Sequence, residues 1–125
     1  MNKPFYITTT LPYVNSYPHI GFAMELVRAD VLARYKTSQG FDVFSNTGTD
    51  EHGIKIYDSA REAGLSPQEF ADRVSEKFRL LFNVLDIRKE THFIRTTDPK
   101  HIASAQAFWK IVEANGYIYK KHYAI

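Results

Sequence analysis

Aromatic and β-branched residues crowd the first stretch, Phe5-Tyr6-Ile7-Thr8-Thr9-Thr10, and Pro12 closes it, a pattern that predicts a strand followed by a loop. The period then changes. From Gly21 onward Met24, Val27, Val31 and Tyr35 recur at helical spacing, Asp30 is placed to pair with Arg34, and Gly40 suits a helix end. A helix of several turns, beginning near Ile20, is the consequence. Alternation returns in Phe41-Asp42-Val43-Phe44, which leads into Ser45-Asn46-Thr47-Gly48 as a second strand. Ile54 to Ala63 reads as a shorter helix closed by Gly64. Ser66-Pro67-Gln68-Glu69 is a capping box with proline in the first turn, and Phe70, Val74, Phe78, Leu81 and Leu85 form the apolar stripe of the helix it starts. Asp98-Pro99 opens a last helix, ended by Gly116, whose inward face is Ile102, Ala105, Trp109 and Val112. Phe93–Thr96 and Tyr117–Lys120 are the remaining strand candidates, and the aromatic groups at Phe78–Phe82 and Phe108-Trp109 are expected in the core.

Strands alternating with helices predict an α/β fold with a doubly wound parallel sheet, because parallel neighbours need a crossover between them. Ligands of such sheets bind beyond the carboxyl ends of the strands. Both unusual loops, Leu11 to His19 and Gly48 to Gly53, fall at such ends.

Composition narrows the class without naming a function. With 125 residues, 44% of them hydrophobic and 24% charged, the chain can bury the core of one domain and lacks the signature of disorder. Sixteen Lys and Arg against fourteen Asp and Glu leave a formal charge of only +2, which gives no electrostatic argument for nucleic acid. Cysteine is absent, so neither a disulfide frame nor a thiolate zinc site lies within these residues. No apolar run approaches the roughly 18 residues of a membrane span, and Met1-Asn2-Lys3-Pro4 lacks a signal-peptide core. A cytoplasmic chain with no membrane partner is the expectation.

The candidate chemistry lies in the two loops. Where a strand feeds a helix, the first helical N–H groups are unpaired and the positive dipole end is open, so the turn ending in Pro18-His19-Ile20-Gly21 can receive a phosphate. Gly21 leaves room for close approach, and His19 can donate to a phosphate oxygen as negative charge builds. A purely structural role for His19, capping the helix, stands beside this reading. The second loop, Gly48-Thr49-Asp50-Glu51-His52-Gly53, sets two carboxylates and an imidazole between glycines. It can cap the next helix through Asp50 or Thr49, or it can face the His19 turn across one crevice. In the second case an acidic wall opposes a phosphate-friendly one, which suits an anion-bearing substrate beside an amine.

Taken together in this order and spacing, Leu11-Pro12-Tyr13, His19-Ile20-Gly21, the Ala29-Asp30-Val31 to Arg34-Tyr35 helix and Gly48-Thr49-Asp50-Glu51-His52-Gly53 resemble the methionyl-tRNA synthetases. The similarity runs from Phe5 to the last residue, to the first half of the Rossmann-like catalytic domain of those class I enzymes. It implies that residues 1–125 form the N-terminal half of that domain, ending near the start of a connective insertion that can bind zinc, with no metal site in the chain itself. It implies ATP as substrate, with Mg²⁺, and methionine and tRNA(Met) as partners of a complete enzyme. On that carry-over His19 is catalytic and stabilises the α-phosphate region. Pro12, His19 and Gly21 bind ATP, while Leu11, Tyr13 and Asp50 bind methionine, Asp50 through the ammonium.

One departure bears on catalysis. The family signature usually ends in a second histidine, where this chain has Phe22, which can neither donate a hydrogen bond nor carry charge. Packing in the core is the ordinary fate of a helical phenylalanine. The Lys-Met-Ser-Lys-Ser loop and anticodon domain of the family are not in these residues, so little or no aminoacylation is expected of them alone. Two other readings remain, a non-catalytic module that binds ATP, methionine or a partner, and another nucleotidyltransferase with a His-x-Gly-His signature.

Overall fold

The computed structural model describes residues 2–122, and the expected approach to an insertion at Tyr123–Ile125 lies outside them. The elements follow the order β1 (Pro4–Thr8), α1 (Ile20–Ser38), β2 (Asp42–Thr49), α2 (Ile54–Glu62), α3 (Pro67–Val84), β3 (His92–Arg95) and α4 (Pro99–Ala114). The three strands form one all-parallel sheet in the order β1-β2-β3, with Tyr6 beside Phe44 and with Thr8, Asn46 and His92 in one row. This is the order of one βαβαβ half of a Rossmann-type sheet.

Each element has a local cause. The N-terminus of α3 carries the full capping box, with Ser66 Oγ accepting from Glu69 N–H and Glu69 returning to the Ser66 N–H. The β2 strand runs on through Ser45-Asn46-Thr47-Gly48 to Thr49. Gly48 permits this: a Cβ there would run into the carbonyl oxygen of Ile94 on β3. The sheet face under α1 and α3 is hydroxylic, and its groups satisfy one another through Thr9 with Thr47, Ser45 with Thr91, and Thr49 with Ser75. Around it Val14, Phe22, Leu26, Ile56, Ala71, Val74, Phe78 and Ile87 form the core.

Three expectations are corrected. Residues Tyr117–Lys120 form no strand, since no neighbouring strand pairs with them in the described sheet. The stripe Ile102, Ala105, Trp109 and Val112 does not face a core, because no residue of α4 is buried, and Phe108 and Trp109 are exposed. On α1 the apolar repeat Met24, Val27, Val31 and Tyr35 faces solvent, while Phe22, Leu26, Asp30 and Ala33 are buried.

Candidate functional site

Parallel pairing of β1 and β2 carries their following loops forward side by side. The pairing continues past the strand ends, where Asp50 N–H donates to the Pro12 carbonyl at 2.9 Å and Val14 N–H donates to the Asp50 carbonyl at 3.2 Å. Leu11, Pro12, Tyr13 and Asp50 are thereby brought together. Tyr13 is exposed and borders an open cleft of about 340 Å³ with His52, Gly53, Ile54 and Lys55. A larger cavity of about 710 Å³ opens between Asn15–Tyr17 and α3, and no predicted site residue lines it.

His19 and Gly21 form a second cluster at the head of α1. His19 is the N-cap residue, and its Nδ1 accepts the Gly21 N–H at 3.1 Å. The capping role and an outward role are therefore compatible, because a neutral ring that accepts on Nδ1 carries its proton on Nε2. Gly21 has a reason beyond the open helix end: a Cβ there would meet the His19 ring at 2.9 Å. No hydrogen bond joins this cluster to Asp50 among the described residues. Phe22 lies in the core with its ring 5.2 Å from that of Phe78, edge to face, so the last position of the motif does not line the cleft.

The loop after β2 does not cap α2. Gly53 is the N-cap, at φ 136°, and no side chain caps it. Thr49 turns inward to Glu51 and Ser75 instead. Asp50 Oδ1 accepts from the His52 N–H at 3.4 Å and the Thr96 hydroxyl at 3.5 Å, both long contacts, and no described group donates to Oδ2.

Sequence reasoning missed what lies behind Asp50. Glu51 is buried, 5% exposed, and is gripped by Arg95 through Nε at 2.6 Å and Nη2 at 2.9 Å, by the Thr49 hydroxyl at 2.7 Å and by the Thr97 hydroxyl. Burial works against its charge, yet the hydrogen bonds from Arg95, Thr97 and Thr49 prevail and hold its carboxyl below the ordinary range. Arg95 is held charged chiefly by Glu51, against desolvation, and also by Asp72 of α3 at 2.5 Å. The hydrogen bond from Arg95 is likewise what lowers the carboxyl of Asp72. Periodicity could not have found this network, which joins residues far apart in sequence. The only signal was a second carboxylate next to Asp50.

Among the described residues no group of three or more His, Cys, Asp or Glu side chains is placed to hold a metal ion.

The chain is similar to known proteins. The family model described as tRNA synthetases class I (M) matches residues 5–125. The methionine–tRNA ligase of Thermotoga maritima is 50% identical over 119 residues, which is 95% of this chain and 19% of that protein. The Brucella suis ligase is 47% identical over 122 residues, 98% of this chain and 24% of its own length. The chain thus spans about a fifth to a quarter of the curated relatives it matches. A Mycobacterium tuberculosis methionyl-tRNA synthetase solved with methionyl-adenylate superposes with a TM-score of 0.87 at 39% identity, over 91% of this chain and 22% of that one. A leucyl enzyme from Agrobacterium radiobacter, at 24% identity and a TM-score of 0.84 over 94% of this chain and 15% of its own, shares the fold. Matched by that family model over residues 5–125, and sharing the fold of a solved methionyl-tRNA synthetase, this chain belongs to the class I methionyl-tRNA synthetase family.

Proposed function

We propose that the chain supplies the crevice in which methionine and ATP become methionyl-adenylate, the methionyl group then passing to tRNA(Met) in the complete enzyme. The observation that supports this reading is the main-chain junction of Tyr13 with Asp50, which joins a loop bearing a carboxylate to the loop whose exposed aromatic ring borders a cleft. A methionine ammonium meets Asp50 there, Tyr13 covers the amino acid, and the Leu11 backbone faces it. The substrate carboxylate oxygen attacks the α-phosphorus of ATP, and the bond to the bridging oxygen breaks. Pyrophosphate leaves with the electron pair. His19, its proton on Nε2, donates to the α-phosphate oxygens as their charge grows, while Pro12 and Gly21 give the nucleotide a close-fitting wall. Positioning and charge placement supply most of such catalysis.

Removing a desolvated charge partner costs on the order of 2–5 kcal/mol, so Asp50→Ala in the full gene product is expected to weaken methionine binding by that amount. Calorimetric titration measures it, and unchanged affinity removes Asp50 from the site. The burial of Phe22 supports a second reading, a module that binds ATP or methionine without activating it. Methionine-dependent exchange of pyrophosphate into ATP separates the two: exchange belongs to the synthetase, and binding without exchange belongs to the module.

A further inference from the structure

The Asp50 turn is held by three successive residues at the end of β3, Thr96 through the main chain and Arg95 and Thr97 through the Glu51 side chain. Arg95 and Thr97 close on the Glu51 carboxylate, and Thr96 between them accepts the Glu51 N–H at 2.8 Å and reaches Asp50 Oδ1 at 3.5 Å. The His52 ring adds a contact to the Thr96 carbonyl at 3.3 Å. Glu51 itself has no part left for a ligand, since two guanidinium donors and two hydroxyls fill its oxygens. Arg95 is held by Glu51 through Nε and Nη2 and by Asp72 through Nη2. A buried ion pair of this kind is weak support for stability, because apolar replacements of similar volume are often as stable or more so. What the pair does supply is a fixed orientation for the turn that carries Asp50.

We propose that Glu51 and Arg95 are positioning residues for the substrate ammonium: their buried pair holds the Asp50–His52 turn so that the Asp50 carboxylate is presented in one orientation to that ammonium. This rests on the reading of Asp50 as the ammonium partner. Glu51 and Arg95 act through Asp50 and touch no substrate.

The test is calorimetric titration of the full gene product with three probes: L-methionine, its desamino analogue 4-(methylthio)butanoate, which lacks the ammonium, and ATP. Glu51→Gln keeps the side-chain shape, and Arg95→Lys keeps the charge while losing the fork. Both are expected to weaken methionine about tenfold to a hundredfold, the range seen when a group that orients a ligand-binding side chain is lost. Analogue and ATP affinities are expected to stay within about twofold, since neither depends on an aimed Asp50 carboxylate. Unchanged methionine affinity in both variants, or an equal loss for all three probes, overturns the proposal, the latter being the mark of a purely structural pair. Wild-type protein that binds methionine no better than the analogue removes the ammonium reading and this inference with it. If wild type discriminates and both variants discriminate equally well, only the inference fails.

Discussion

His19 has one nitrogen free for chemistry, and the helix decides which. With Nδ1 taking the Gly21 N–H, the other ring nitrogen, Nε2, is the one that can donate, so the same cap that begins α1 leaves a donor. Phe22, next along the signature, has been drawn into the other side of the helix, where it packs on Phe78. Restoring the family's second histidine should therefore not restore a second donor. Phe22→His puts a polar ring in an apolar site and is expected to lower stability by roughly 2–4 kcal/mol in urea denaturation, with no gain in methionine-dependent exchange. A faster exchange would mean that position 22 reaches the cleft.

At the level of elements, the staple linking the β2 loop, β3 and α3 is a charge-dependent part of the fold. Glu51 and Asp72 both have carboxyls held below their unfolded values, with Arg95 between them and Asp98 accepting the Arg95 N–H. A depressed carboxyl contributes its full stability above the unfolded pKa, near 4, and loses it as pH falls through the lower folded value. Stability is expected to fall below about pH 4, less steeply in Asp72→Asn, as followed by circular dichroism. The capping box and the strand-helix-strand order were legible because they are local in sequence. The buried face of α1 was not, because Asp30 belongs to it: its carboxylate accepts from Arg34 Nε and from the Arg88 N–H, so a core position carries a charged letter. Tyr117–Lys120 has a strand's composition, yet pairing is a property of two segments. The loop junction at Tyr13 and Asp50 could be inferred from adjacency of the strands, whereas Glu51–Arg95 spans elements that no periodicity connects.

For the whole molecule the decisive fact is how unevenly the sheet and helices are covered. One face of the sheet lies under α1 and α3, and the other carries Tyr6, Phe44 and His92 stacked in a row, with Tyr6 and Phe44 exposed. The outer side of α1 shows Ile20, Met24 and Val31 to solvent, and α4 shows Phe108, Trp109 and Ile111. Apolar surface arranged in patches of this kind promotes association. The sole tryptophan, Trp109, stands in one of them at 57% exposure and so reports on it. In a dilute solution of the 125-residue chain its fluorescence is expected to resemble that of a water-exposed indole and to be quenched readily by acrylamide. Raising the concentration should shift the emission to the blue and reduce quenching as α4 faces meet, in step with a larger sedimentation coefficient. A blue, protected emission at the lowest concentration, with a monomer's sedimentation, would place α4 against the body of its own chain, contrary to the exposure of Phe108, Trp109 and Ile111.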